Sequence, residues 1–212
     1  MKWIIGVSIV AVVVGAAATM TIPAQMIVPD QAILRLFPPE TQGIAYFDMA
    51  ALRDTALFQD VLATGGVPNF GGLRDFAEAT GFVVQRDLDR LTVGRIGDRN
   101  SLAIAEARYD MFKVERFFTD KGIYPETYMG RALFRRDPTT VAFVDTLVIA
   151  GSSANVRKAV ERLSLPGNLV LKPELLSGIQ TIAAGSQVWA AGEFSLDHLP
   201  VPAGAASPAL DV

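Results

Sequence analysis

Apolar residues are distributed along this chain in three regimes. From Trp3 to Thr21 they form a run without a single charge, and after Lys2 no charge appears before Asp30. At about 1.5 Å of rise per residue, roughly 20 helical residues cross a hydrocarbon core of about 30 Å, so the run is just long enough to span a bilayer. The same stretch also parses as an export signal: Lys2 as a minimal basic start, an apolar stretch from Trp3 to Val14, and Gly15-Ala16-Ala17-Ala18 as a small-residue cleavage region. A buried core helix is the third reading, and the absence of any polar face weighs against it. Residues 1–22 are therefore expected to be a transmembrane anchor, or a signal cleaved near Ala18. In both cases the rest of the chain is delivered to the far side, and Lys2 sets an N-in orientation.

The second regime is short and alternating. Pro23, Pro29, Pro38 and Pro39 punctuate residues 23–40, which read as a tether rather than a helix. A single α+β domain is expected over 41–199. Ile44-Ala45-Tyr46-Phe47 has a buried-strand pattern, and Asp48 stands where a helix cap is wanted before Ala50 to Ala63. Residues 65–72, rich in glycine, form a connector, and Leu73 to Thr80 a short helix closed by Gly81. Arg90–Ile96 and Ser101–Ala107 read as a hairpin around Gly97-Asp98-Arg99-Asn100. Phe112 to Asp120 fits an amphipathic helix with Phe112, Phe117 and Phe118 on its apolar face, ended by Gly122. Strands follow at Tyr128–Arg136, Val141–Val144 and Leu147–Ala150, then helices at Ser153–Leu163 and Lys172–Ile182, the latter broken near Gly178, and a last strand at Gln187–Phe194.

Leu102-Ala103-Ile104-Ala105 matches Leu147-Val148-Ile149-Ala150, and Val114-Glu115-Arg116-Phe117 matches Val160-Glu161-Arg162-Leu163. A strand-hairpin-helix unit used twice, over 90–122 and 128–165, is the expectation. Together with the β-α-β-β-α-β order, this predicts an antiparallel or mixed sheet with helices on one face, built from ferredoxin-like split βαβ units. The third regime, residues 200–212, is a tail of Pro, Ala, Gly and Ser without a pattern, expected to be disordered.

Composition narrows the chemistry. Among 212 residues there are 19 basic and 22 acidic ones, a formal net charge of -3, and adjacent basic residues occur only as pairs such as Arg135-Arg136. A nucleic-acid surface needs clustered Lys and Arg, so nucleic acid is not an expected partner. There is no cysteine, which removes thiolate chemistry, disulfides and cysteine-bound metals, and His198 is the only histidine. No cofactor and no metal site is expected.

Candidate chemistry is correspondingly thin. Gly151-Ser152-Ser153 sits between a strand and a helix where an anion could be held, but a serine cap is the plainer account, since no Walker lysine follows. The glycines of 65–72 lack a following Gly-Lys-Ser/Thr. Arg86-Asp87-Leu88-Asp89-Arg90 places carboxylates two apart, enough for acid-base work or a hard cation only with further ligands; a solvated turn is favoured. Glu106 closes an otherwise apolar strand and is the best single candidate for an unusual carboxylate. The aromatics Tyr46, Phe47, Tyr109, Phe112, Phe117, Phe118, Phe134, Phe143, Trp189 and Phe194 suit either a core or a cavity for an apolar ligand. None of these is assigned as a catalytic, cofactor or metal residue.

Pro39-Glu40-Thr41 leading into Ile44-Ala45-Tyr46-Phe47-Asp48, then Ala79-Thr80-Gly81-Phe82 and Arg86-Asp87-Leu88-Asp89-Arg90, resembles the openings of bacterial exported families of domains of unknown function. The resemblance covers about residues 39–165 and implies an envelope setting and repeated α+β units, with no activity and no site residue. The expectation is a noncatalytic protein of the bacterial inner membrane, anchored through residues 3–21, whose periplasmic or extracellular domain meets a protein partner as an interaction module or accessory subunit. Its alternatives are a binder of a lipid or other apolar molecule, and a hydrolase that combines Glu106, Asp87 and Ser152 without cysteine or histidine.

Overall fold

Alternation of apolar and small residues along eight short segments builds one sheet. These are β1 (Thr41–Asp48), β2 (Leu88–Ile96), β3 (Asn100–Ala107), β4 (Pro125–Tyr128), β5 (Arg131–Arg136), β6 (Thr139–Val144), β7 (Leu147–Ser152) and β8 (Val188–Gly192). Their spatial order is β4-β5-β6-β7-β3-β2-β1-β8, and every neighbouring pair is antiparallel. The structure is a computed structural model and describes residues 31–56, 73–97, 100–164, 167–183 and 186–193. The expected apolar segment at 3–21, the glycine connector at 65–72 and the tail at 200–212 lie outside those residues. Among the described residues no helix is long and apolar enough to cross a membrane.

The α+β class and the antiparallel sheet match expectation; the split ferredoxin-like order does not. β1, β2 and β3 are consecutive antiparallel neighbours, and so are β4 to β7, leaving no place for a strand inserted between parallel partners. Two meanders meet where β3 pairs β7, with Ile104 opposite Ile149.

The helices also differ from the expected one-sided layer. Seven are described: α1 (Gln31–Leu34), α2 (Met49–Leu52), α3 (Leu73–Thr80), α4 (Val84–Asp87), α5 (Met111–Asp120), α6 (Ser153–Ser164) and α7 (Pro173–Ala183). On one face, Ile44, Tyr46, Leu102, Ile104, Leu133, Ala142 and Ile149 form the main core with Ile33 and Leu34 of α1, Val156 and Val160 of α6, and Leu175 and Ile179 of α7. The other face carries Phe134, Phe143 and Val148, which pack with Val114 and Phe118 of α5 and Phe76 of α3. Leu133 and Phe134 are adjacent in β5 and supply opposite layers, as the period of two requires. The units 90–122 and 128–165 thus share their strand pattern but send α5 and α6 to opposite faces.

Ile33, Leu34, Leu36 and Phe37, inside the stretch expected to be a tether, belong to the core, and Leu36 and Phe37 are fully buried. Phe37 fills the space above Gly94 in β2, where a Cβ would stand 2.4 Å from the Phe37 ring. Arg162 of α6 donates to the Leu36 carbonyl, and Thr41 donates through Oγ1 to Pro38 O at 2.6 Å. The prolines of this stretch break a helix without preventing burial of the apolar residues between them.

Local signals held where their chemistry is short-ranged. Asp48 accepts the Ala51 N–H at 2.9 Å and caps α2. Gly81 and Gly122 take positive φ at the ends of α3 and α5, as helix-ending glycines do. In α5, Asp110 is the cap and Val114 the buried centre, while Phe112, expected on the apolar face, is 73% exposed. The expected strand from Tyr128 to Arg136 is interrupted at once: Met129 and Gly130, both at positive φ, turn the chain between β4 and β5. α7 runs unbroken through Gly178, whose bare Cα lies against Ala191 of β8.

Candidate functional site

The sheet has two ends. The chain comes in through α1 to the end where Thr41 pairs Ile96 and Ser152 pairs Thr139. Asp48, Arg90, Glu106 and Leu147 lie at the opposite end, joined across β1, β2, β3 and β7. The candidates singled out by sequence are divided between these ends: the 86–90 stretch and Glu106 lie at the far end, and Gly151-Ser152-Ser153 at the incoming one.

At the far end, Arg86 and Asp87 close α4, and Leu88, Asp89 and Arg90 open β2. Arg86 gives Nε and Nη2 to the two oxygens of Asp87, each at 2.7 Å, and Asp87 also accepts the Val83 N–H at 2.8 Å. The paired guanidinium holds the Asp87 carboxyl below its ordinary pKa against the opposing pull of burial, with the Val83 N–H and Arg108 adding to the lowering. Asp89 is shared between Arg53 and Arg108, each at 3.1 Å. Arg90 bonds Glu106 at 3.0 Å and stands 4.0 Å from Asp48. Each carboxylate of the 86–90 stretch therefore has its own guanidinium, and Glu106 is an ion-pair partner rather than an isolated acid. No group of three or more His, Asp or Glu placed to hold a metal occurs among the described residues.

Ser152 accepts the Asn155 N–H at 3.4 Å as the cap of α6, and Ser153 hydrogen-bonds Thr140. A Cβ on Gly151 would stand 2.7 Å from the Ser101 carbonyl, so this glycine permits close approach of β7 to β3 and requires no phosphate to explain it. Ser152 lies five positions along β7 from Leu147, the partner of Glu106, which separates the two by about 17 Å at a strand rise of about 3.4 Å. Glu106 and Ser152 do not share a cleft.

The aromatic set is likewise divided. Tyr46 and Trp189 stack at 5.5 Å in the main core. Phe47 belongs to a separate cluster with Ala45, Leu91 and Val93. Phe118 stacks on Phe134 at 4.4 Å, and Tyr109 meets Phe143 edge-on at 5.1 Å under α5. Phe112 is exposed, and Phe194 and His198 lie outside the described residues. Among the described residues, the Trp189 indole N–H is buried without a hydrogen-bonding partner, and the buried Tyr46 hydroxyl faces Asp48. The Tyr46 pKa is pushed up to about 12, by burial first and then by the negative charge of Asp48.

What sequence reasoning missed is a cleft at the far end, of about 300 Å³, between the α3–α4 turn and the start of α5. Its walls include Phe82, Arg86, Arg108, Tyr109 and Lys113. Tyr109 Oη donates to the Asp145 carbonyl at 2.7 Å, which fixes the ring, and burial pushes its pKa up to about 12. Lys113 approaches Gly81 across the gap: a Cβ on Gly81 would be 3.9 Å from its ammonium. These positions are more than 20 residues apart in the chain, and nothing in the local pattern announces the juxtaposition.

No protein-family model and no curated protein sequence matches the chain. Among solved structures, it is similar to crystal form III of TP0453, with 15% identity and a TM-score of 0.51 over 74% of this chain and 61% of that one. Crystal form IV of TP0453 aligns at 13% identity and a TM-score of 0.49, over 74% and 62%. The chain spans less than two thirds of the length of those proteins, and the likeness is one of fold alone.

Proposed function

We propose that this protein is a noncatalytic module held at the outer face of a bacterial inner membrane, whose domain contacts a protein partner as an accessory subunit. The observation that carries this reading is the burial of Leu36 and Phe37. With residues 31–37 packed into the core, only residues 22–30 separate the apolar run from the domain. Nine residues reach at most about 30 Å when fully extended, so an uncleaved anchor at 3–21 keeps the incoming end of the sheet beside the bilayer and turns the far end outward. The outward end carries the partly exposed Arg86, Arg90 and Arg108 together with the exposed Phe112, and Arg is among the residue types enriched in binding hot spots.

The division of the carboxylates among separate guanidinium partners, and the distance between Glu106 and Ser152, favour this over a hydrolase. Dispersal of the aromatics into three packed clusters favours it over a binder of apolar ligands. The test is gentle detergent extraction of the tagged full chain, followed by affinity isolation and mass spectrometry. One reproducible partner, retained by the full chain and lost when residues 1–22 are replaced by a cleavable signal, is the expected result. Recovery of the monomer alone would sink the reading, as would N-terminal sequencing that places the mature start near Thr19.

A further inference from the structure

The far-end cleft has more hydrogen-bond donors than acceptors, and the surplus is specific in kind. Its two acidic residues are already committed. Asp87 is bonded to Arg86 and Val83, and Asp110 accepts the N–H groups of Phe112 and Lys113 as the cap of α5. The carbonyls closing α3 are committed too: Phe76 O takes the Thr80 hydroxyl, Ala77 O the Gly81 N–H, and Gly81 O the Arg86 guanidinium. Lys113 Nζ has neither hydrogen bond nor ion pair among the described residues. Among the described residues Arg108 uses only Nη2, toward Asp89 and the Arg86 carbonyl, which leaves Nε and Nη1 to donate elsewhere.

Three cations against two anions leave the walls with a net charge of +1 (3 − 2), which one negative charge balances. The volume, about 300 Å³, stands at the small end of ligand sites. Phe82, held edge-on to Phe76 at 5.7 Å, and the fixed ring of Tyr109 provide an apolar wall beside the charges. We propose that this cleft binds a carboxylate carried on a small apolar body, with Arg108 and Lys113 donating to the carboxylate and Phe82 and Tyr109 flanking the body. A carboxylate accepts on both oxygens and matches a guanidinium edge, whereas a doubly charged phosphate would exceed the charge available. The proposal does not depend on the membrane reading.

The test is amide chemical-shift perturbation on the full chain in detergent micelles, with phenylacetate, phenylacetamide and inorganic phosphate as separate probes. A dipeptide ending in phenylalanine, as the free acid and as its C-terminal amide, distinguishes a protein C-terminus from a free acid as the source. Phenylacetate or the free-acid dipeptide at millimolar concentration should move the resonances of Gly81, Phe82 and Lys113, and the amides should not. Lys113→Gln should weaken binding about fivefold to tenfold with an unchanged melting temperature, the worth of one partly exposed charge-assisted bond, and Arg108→Gln should weaken it as much while also lowering the melting temperature, because Arg108 bonds Asp89 and the Arg86 carbonyl. Lys158→Gln, on α6, should leave it unaltered. Equal binding of acid and amide, phosphate binding as tight as phenylacetate, or no perturbation at those resonances would each overturn the proposal.

Discussion

At the incoming end of the sheet, Phe37 occupies the volume that a side chain on Gly94 would fill, and the contact is apolar and sealed from water. At the far end the chain is joined by guanidinium groups: Arg53 and Arg108 on Asp89, Arg86 on Asp87, Arg90 on Glu106. Those arginines are between about a quarter and two thirds exposed, so water and ions compete for every contact they make. One end is fastened by shape, the other by charge. Under the proposed membrane anchoring, the shape-locked end is the one that would bear the pull of the tether, and the charged end is the one whose polar groups could change partners.

The largest effect should come from breaking the shape contact. Phe37→Ala is expected to cost about 3–5 kcal/mol in urea unfolding, the usual range for a fully buried aromatic. Gly94→Ala should cost about 1–3 kcal/mol, since its Cβ overpacks against the ring. In the double variant the Gly94→Ala penalty should shrink by about 1 kcal/mol or more, because the ring it collides with is gone. Simple additivity of the two would show that Phe37 and Gly94 are not the lock.

The next effect belongs to the far end and is set by pH. Asp87 has a folded pKa below its ordinary value of 3.8, so its contribution is fully present above that value and is lost as pH falls through the depressed one. Asp87→Asn should cost on the order of 1 kcal/mol at neutral pH, because the buried carboxylate loses its charge-assisted bonds while the largely exposed Arg86 is resolvated by water. It should also flatten the acid limb of the stability profile, measured as urea midpoints from pH 5 downward. Phe37→Ala should shift that profile down without changing its slope. An acid limb of unchanged slope in Asp87→Asn would remove Asp87 from its role.

The same contrast explains which parts of the molecule were legible in the sequence. Caps and turns set by one or two residues were readable: Asp48, Gly81, Gly122 and the β2–β3 hairpin stand where the pattern places them. β4 was not, because Pro125-Glu126-Thr127-Tyr128 is largely exposed at the sheet edge and has no apolar alternation to report a buried face. The burial of 31–37 was hidden by flanking prolines, which report on backbone hydrogen bonding and are silent about packing. The two-sided helix layer depends on which way the chain turns after β3 and after β7, a tertiary choice that the matching strand sequences do not encode. The cleft depends on Gly81 and Lys113 meeting across α3 and α5, a contact brought about by Phe76 packing on Phe117.

A smaller effect distinguishes charge from shape by salt. Glu106→Gln should cost only about 0.2–1 kcal/mol at low ionic strength, since Arg90 is half exposed, and the difference should fade toward about 1 M salt, where screening acts within about 3 Å. The Phe37→Ala penalty should persist undiminished in the same series. Urea is the suitable denaturant, because guanidinium would itself screen the pair. A Glu106→Gln penalty that survived high salt would mean that the far end is held by packing as well, and the two ends would no longer differ in kind.

The smallest expected effect on stability is the one that bears most on function. Phe112 stands on the first turn of α5, beside the cleft, with 73% of its surface in water, so Phe112→Ala removes almost no buried area and should change stability by less than about 0.5 kcal/mol. Val114, two residues on and fully buried under the same helix, should cost about 2 kcal/mol on truncation to Ala. A large aromatic held exposed at the end of a sheet contributes nothing to the isolated domain, and its energetic role, if the outward end is a contact surface, lies in a complex. Affinity isolation should therefore lose the partner with Phe112→Ala while the melting temperature stays put. Retention of the same partner at the same yield would place the contact elsewhere and leave the far end with its cleft alone.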